Sequence, residues 1–443
     1  MEAEVLVVAM EERLTTHNGL FLLFSTFLNS IPVGYINVVP LVYLAEIGYD
    51  PSTIGIIYSA SAFAATIALI PCGFLADRYG KKKLVIIGTF LPCLAYAIFG
   101  STLNPGLLVI ASIVGGVGFA GGLGAAITTP PFFSMLASTT SDKRRSTLFG
   151  VLFAAWSLAL TVGSALSFLP SLLSSSFTQS ERAAHFESYM IMSGVAAASV
   201  IPLFFVKERR ESGDPKTSSE SNPALSQFSE REMPDLSGRR RFSVTSWSKI
   251  LQFSTVFALT GFGLGVLVQL LPTWYTIRYD ASESAVGFWM AVSNLATIIS
   301  IPVIPRIVNR RGAVSTAAAT GVVGALILAL MPFTAGFESA ATLFAIRSVA
   351  VGISWPVLQS YMMGIVNENE RATMVGFAYT AWGVGASLGV VIGGEFLGTG
   401  LLMFPFVAGV ASYLISCAAL PLFFRKVKPP EETARFGLPR MSE

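Results

Sequence analysis

The chain holds 443 residues, of which 53% are hydrophobic and only 12% charged, with a net charge of +3. An ordinary soluble domain carries about 25% charged residues, so this composition excludes one and points to a protein built into a bilayer. The small net charge, spread over short segments, argues against nucleic acid as a partner. Cys72, Cys93 and Cys417 all fall in apolar runs without the spacing of a disulfide pair or a metal site, and neither a metal nor a cofactor is expected.

At the N-terminus Glu2, Glu4, Glu11 and Glu12 outnumber Arg13. That is the opposite of the basic start of a cleaved signal peptide, so the first apolar run is expected to remain as an anchor. Windows of about 19 residues, enough to cross a hydrocarbon core about 30 Å thick, give twelve predicted spans. The first six lie near Leu20 to Leu44, Thr53 to Leu75, Leu84 to Leu103, Leu107 to Leu136, Leu148 to Leu169 and Tyr189 to Val206. The other six lie near Ile250 to Tyr275, Ala285 to Ile304, Ala313 to Phe333, Ala340 to Val366, Met374 to Phe396 and Met403 to Phe424.

The segment from Lys207 to Lys249 is rich in Ser, Glu and Arg and has no apolar run that packs or inserts, so it reads as a linker with little fixed structure. The expected organisation is an N-terminal segment at residues 1–17, a six-helix bundle at 18–206, the linker at 207–248, a second six-helix bundle at 249–424 and a tail at 425–443. The fold class is all-α and polytopic. Arg240-Arg241-Phe242-Ser243 in the linker matches a basophilic kinase site over four residues, a weak signal beside a lipid-facing basic patch.

Between the second and third runs sits Gly73-Phe-Leu-Ala-Asp77-Arg78-Tyr-Gly80-Lys81-Lys82-Lys83. This loop resembles the signature between helices 2 and 3 of the major facilitator superfamily. Pro305-Arg306-Ile-Val-Asn309-Arg310-Arg311-Gly312 echoes it after the eighth run, with Asn309 in the place of Asp77. Arg145-Ser-Thr147-Leu-Phe-Gly150 before the fifth run is echoed by Arg371-Ala-Thr373-Met-Val-Gly376 before the eleventh. The resemblance implies two pseudo-symmetric six-helix bundles around a midplane cavity, and secondary active or facilitative transport of a small organic solute by alternating access. A coupling ion is left open, and the chain is expected to act as a monomer and not as an enzyme. Drug or metabolite efflux by proton antiport is an alternative, although the fourth run lacks the Arg, and the fifth the Gly-Pro-x-x-Gly-Gly, of that branch. A receptor or scaffold without flux on the same fold is the alternative of another class.

Both termini are expected in the cytoplasm of a plasma-membrane protein. On that side the short loops collect Arg78, Lys81 to Lys83, Lys143 to Arg145, Arg306, Arg310 and Arg311, against Arg182 and Arg278 outside. Gly73, Asp77, Arg78, Gly80, Arg145 and Arg371 form the predicted conformational gate. The resemblance implies that Asp77 meets the positive N-terminus of the eleventh helix and that the contact breaks as the bundles rock.

Candidate cavity residues are Asn29 and Asn37 in the first run, Gln269 in the seventh, Asn294 in the eighth, and Arg347, Gln359 and Tyr361 in the tenth, with Trp156 and Trp382 at matching places in the fifth and eleventh. A guanidinium at a span centre costs about 2.5 to 3.5 kcal/mol on insertion scales. Arg347 is therefore expected either to face the cavity, favouring an anionic solute, or to serve a structural pairing. His17, His185 and Glu283 are placed in loops, and Glu46 and Glu395 at solvated span ends.

Overall fold

The structure, a computed structural model, describes residues 2–117, 121–137, 139, 142–176, 180–207, 246–366, 370–425 and 427. The linker, Ser138 and nearly all of the tail lie outside the described residues. So do the side chains of residues 2–16 and the surroundings of Gly73, Asp77, Arg145 and Arg371.

Twelve spans succeed one another, several in two pieces. Span 1 joins helix Glu2–Ile36 to the short helix Val39–Glu46, span 2 is Pro51–Tyr79 and span 3 is Lys81–Ser101. Span 4 consists of Pro105–Gly115 and Gly122–Ala137, span 5 runs from Asp142–Ala165 into Leu169–Ser176, and span 6 joins Glu181–Ala198 to Ile201–Phe205. Span 7 joins Trp247–Val266 to Leu271–Tyr279, and span 8 joins Glu283–Ser300 to Ile304–Arg311. Ala313–Leu330, Phe337–Gly364, Arg371–Gly398 and Phe404–Phe424 are spans 9 to 12. Ile67, Ile299, Phe333 and Leu422 each expose about two thirds of their surface or more, as an apolar belt against lipid requires. The protein is integral to a membrane.

The expected spans are present, but six predicted as continuous come in two pieces, and in three of these the backbone leaves the helical region at the joint. Span 1 breaks at Asn37 and Val38 before Pro40, whose ring fits the first turn of a helix but not its interior. Span 7 breaks at a 3-10 turn, Val268–Leu270, before Pro272. In span 4, Gly116, Gly121 and Gly122 take φ values of +83°, +66° and +59°, which only glycine adopts without strain.

Within the first six spans, span 1 packs on spans 5 and 6, and span 3 on spans 4 and 6. Within the last six, span 7 packs on spans 11 and 12, and span 10 on spans 8 and 9. The 7–11 contact is a glycine seam in which Gly385, Gly389 and Gly393 lie against carbonyls of Ala258, Phe262 and Val266. Gly34 and Gly163 bring spans 1 and 5 together in the same manner, since a missing Cβ lets backbones touch. Across the two bundles, span 2 packs on span 11 and span 5 on span 8. The loops after spans 2 and 8 match as the sequence echo implies: Gly80 (φ +97°) and Gly312 (φ +78°) each turn the chain directly into the next helix.

Candidate functional site

The two ends of the molecule differ. At the end away from the linker, a continuous buried apolar cluster draws on both bundles: Val39, Leu41 and Val42 of span 1, Tyr96 of span 3, Leu271 and Trp274 of span 7, and Val390 of span 11. The short outer helices of spans 1 and 7 pack on each other, and the buried Thr273 hydroxyl donates to the Leu41 carbonyl across the bundles at 2.9 Å. Nearby, Gly55 of span 2 lies against Val390 and Gly394 of span 11, and Gly287 of span 8 against Ser164 and Ser167 of span 5. The Asn294 amide donates to Ser164 at 3.3 Å. At the linker end the described buried side chains form two separate clusters. One lies around Leu22, Val85, Leu136 and Leu203 in the first bundle, the other around Phe253, Phe257, Met374 and Phe424 in the second.

His185 and Glu283 belong to the outer seal, contrary to the expectation of loop positions. Spans 6 and 8 begin at Glu181 and Glu283, about two turns earlier than hydropathy placed the first, because Glu in a first helical turn meets the positive end of the dipole. His185 Nε2 lies 2.9 Å from Glu283 Oε1, each residue being 8% exposed, and the imidazole stacks on Tyr43 with ring centroids 3.7 Å apart. The sequence did carry a signal. Ala184, His185, Ser188, Tyr189 and Met192 form one buried helical stripe, and Glu283, Val286 and Gly287 form another.

In the first bundle a cavity of about 270 Å³ opens among spans 1, 3, 4 and 5. Asn29, Thr128, Tyr96, Phe132 and Trp156 line it, with Gly116 and Gly121 of the span 4 break, and among the described residues no charged side chain does. A broken helix is tolerated at membrane depth where its freed backbone groups line such a cavity. In the second bundle Trp355 lies 5.5 Å from Phe257, 6.2 Å from Tyr379 and 6.1 Å from Trp382, centroid to centroid. The Gln359 amide donates to the Tyr379 hydroxyl, and Trp382 Nε1 is buried with no hydrogen-bond partner among the described residues.

Of the expected cavity residues, Asn29 and Trp156 line this space, and Gln359 and Trp382 join the aromatic group. Asn37 sits at the span 1 break and Gln269, 5% exposed, at the span 7 break. Asn294 lies between spans 8 and 5, and Tyr361 donates to the Val427 carbonyl at 2.7 Å, fastening the start of the tail. The Arg347 guanidinium, expected at the cavity, lies 5.3 Å from the Tyr413 ring of span 12 and 5.7 Å from that of Phe344, beside Gly324 of span 9. It is 4% exposed and set against spans 9 and 12, where two aromatic faces offset part of the cost of its charge. Of the gate residues, Arg78 is exposed over the Tyr79 ring and Gly80 forms the turn.

Comparison with known proteins sets this geometry in a family. The profile of the Major Facilitator Superfamily matches residues 22–390 and, in a second match, 279–439. The chain belongs to that superfamily. An uncharacterized MFS-type transporter of Methanocaldococcus jannaschii is 23% identical, over 88% of this chain and 96% of that one. Multidrug resistance protein 2 of Bacillus subtilis is 22% identical, over 85% and 87%. Among solved structures, a mutant of the nucleoside transporter NupG superposes with a TM-score of 0.67 at 14% identity, over 92% of this chain and 100% of that one. A bacterial homolog of the human lysosomal transporter Spinster, in an inward-facing and unoccupied conformation, gives 0.65 at 15%, over 94% and 99%. These likenesses establish the superfamily fold. The protein is a membrane transporter, with twelve helices in two six-helix bundles and small solutes as the cargo of its kind.

Proposed function

We propose that this transporter carries a neutral or weakly polar amphipathic organic solute, held between aromatic faces and hydroxyls. The observation behind this reading is the cavity of about 270 Å³, in which the Asn29 amide and hydroxyls such as that of Thr128 meet Phe132 and Trp156 without a charged group among the described residues. Among the described residues no cation lines it for an anionic cargo, and Arg347 packs on Tyr413. The bundles close over the outer end and keep separate cores at the linker end, so the state described faces the linker side. The basic loops support that side as the cytoplasmic one, and the reading is of a plasma-membrane protein working as a monomer. Asp77, Arg145 and Arg371 remain the proposed gate at that end. The proposed cycle has no enzymatic step.

Efflux of amphipathic compounds is the second reading, favoured by the relative named for multidrug resistance that matches most of the chain. One experiment tests the solute class. Purified protein is screened by thermal shift against nucleosides, sugars, carboxylates and amphipathic drugs, because a ligand of the native state raises stability. Neutral amphipathic compounds should stabilise the wild type and lose that effect in Trp156→Ala. Stabilisation by simple carboxylates, abolished in Arg347→Gln, would refute the reading. Flux of the stabilising compound in oriented proteoliposomes then separates efflux from uptake.

A further inference from the structure

The pair that joins spans 6 and 8 at the outer seal holds a proton by necessity of its hydrogen bonds. His185 Nδ1 lies 2.8 Å from the Glu181 carbonyl oxygen. A carbonyl oxygen only accepts, so Nδ1 carries the N–H and donates. His185 Nε2 lies 2.9 Å from Glu283 Oε1. With Nδ1 already protonated, two arrangements make that second contact a hydrogen bond: an imidazolium donating to a carboxylate, or a carboxylic acid donating to a neutral imidazole. Both contain one proton more than a neutral imidazole beside a bare carboxylate. We propose that His185 and Glu283 form a one-proton latch, so that a proton taken from the outer solution is the ligand that closes the outer end of this transporter.

Opening the outer end separates span 6 from span 8 and exposes both groups to water. A solvated His titrates near pH 6.5 and a solvated Glu near 4.3, so above about pH 6.5 the open pair keeps a neutral imidazole and a carboxylate. Closure binds one proton between Nε2 and Oε1, and opening returns it to the outer solution. The sign follows from linkage. The closed state holds more protons, so acid favours it, and each pH unit above about 6.5 lowers the closed-to-open ratio about tenfold until the closed pair itself loses its proton. Below about 6.5 the open-state histidine is already protonated and the dependence flattens.

Other titratable groups surround the pair. Span 1 contributes Tyr35, Tyr43 and the exposed Glu46, span 6 contributes Glu181, Arg182 and Tyr189, and Asp280 precedes span 8. Helix Leu169–Ser176, which packs on span 6, carries none. Glu46, Glu181, Arg182 and Asp280 are exposed or partly exposed, whereas His185 and Glu283 are the buried, facing pair. The latch adds to the transport reading and stands whichever solute is carried.

The test uses the full chain in lipid nanodiscs, otherwise free of cysteine, with Val42→Cys as a reporter in the buried outer seal. Its alkylation rate, divided by that of the exposed reporter Ser175→Cys, measures the open fraction even when that fraction is small. With His185 and Glu283 intact, the normalised rate should climb about tenfold per pH unit between about 7 and 8.5. Glu283→Gln replaces the shared proton by an amide N–H that donates to Nε2, so this variant should stay closed and show no pH slope. His185→Ala should stay open at every pH, and Glu46→Gln should keep the original slope. A flat profile with the pair intact would overturn the latch, and so would a Glu283→Gln protein as reactive as His185→Ala.

Discussion

The outer end and the linker end are built from the same two bundles on opposite principles. At the outer end polar groups are spent on contacts between bundles: Thr273 to Leu41, Asn294 to Ser164 and His185 to Glu283, all beside a shared apolar cluster. At the linker end the described apolar side chains satisfy each bundle separately. Directional bonds close in one geometry and are costly to leave unmade when buried, whereas self-contained cores separate without exposing much new apolar surface. The outer end is therefore a catch with discrete states, and the linker end a mouth whose opening leaves both cores intact. In the proposed cycle, rocking proceeds about the glycine contacts of spans 2 and 11 and of spans 5 and 8.

The largest effect should come from filling one of those contacts. In Gly287→Val the new side chain meets Ser164 and Ser167, where no flexible group can yield. The outer end should fail to close, with net flux falling more than about a hundredfold while the protein remains monodisperse. Normal flux would show that spans 5 and 8 are not an axis of motion. Trp156→Ala acts at the cavity instead and should weaken solute binding about tenfold, roughly 1.4 kcal/mol, without moving the equilibrium between the two ends. Arg347→Gln separates stability from binding: melting temperature should drop with affinity unchanged, and lost affinity at normal stability would return this residue to the cavity. The smallest effect is expected for Thr273→Val, which leaves the Leu41 carbonyl short of a donor. A hydrogen bond of about 0.5 to 1.5 kcal/mol net shifts the outer equilibrium roughly two- to tenfold toward open, read as alkylation at position 42.

Much of the fold was legible in the sequence, because bilayer thickness fixes the length of an apolar run and the glycines after spans 2 and 8 mark sharp turns. The breaks in spans 1, 4 and 7 were not. Hydropathy sums side chains and is blind to where the backbone leaves a helix, and Gly115 to Gly124 contains no charged or polar side chain to mark the break. Pro40 and Pro272 were visible, but a proline signals a kink as readily as a helix start. His185 and Glu283 were set in loops because each lowers the average of its window; that they meet across the bundles is a tertiary fact. Their buried stripes at three- and four-residue spacing were the available clue. For Arg347 the sequence showed depth but not direction, and a helix in a bundle offers both a cavity side and a peripheral side. Asn29 and Trp156 were legible because a polar or indole side chain at mid-span finds few places outside a cavity.

The opposition between the two ends is tested most directly by electron-electron distance measurements on spin labels in lipid nanodiscs. One pair is placed across the outer end at positions 175 and 339, the other across the linker end at positions 83 and 311, all four exposed. At pH 6.5 without solute, the account predicts one narrow, short distance across the outer end and a longer, broader distribution across the linker end. A short, narrow linker-end distance paired with a broad outer one would contradict it.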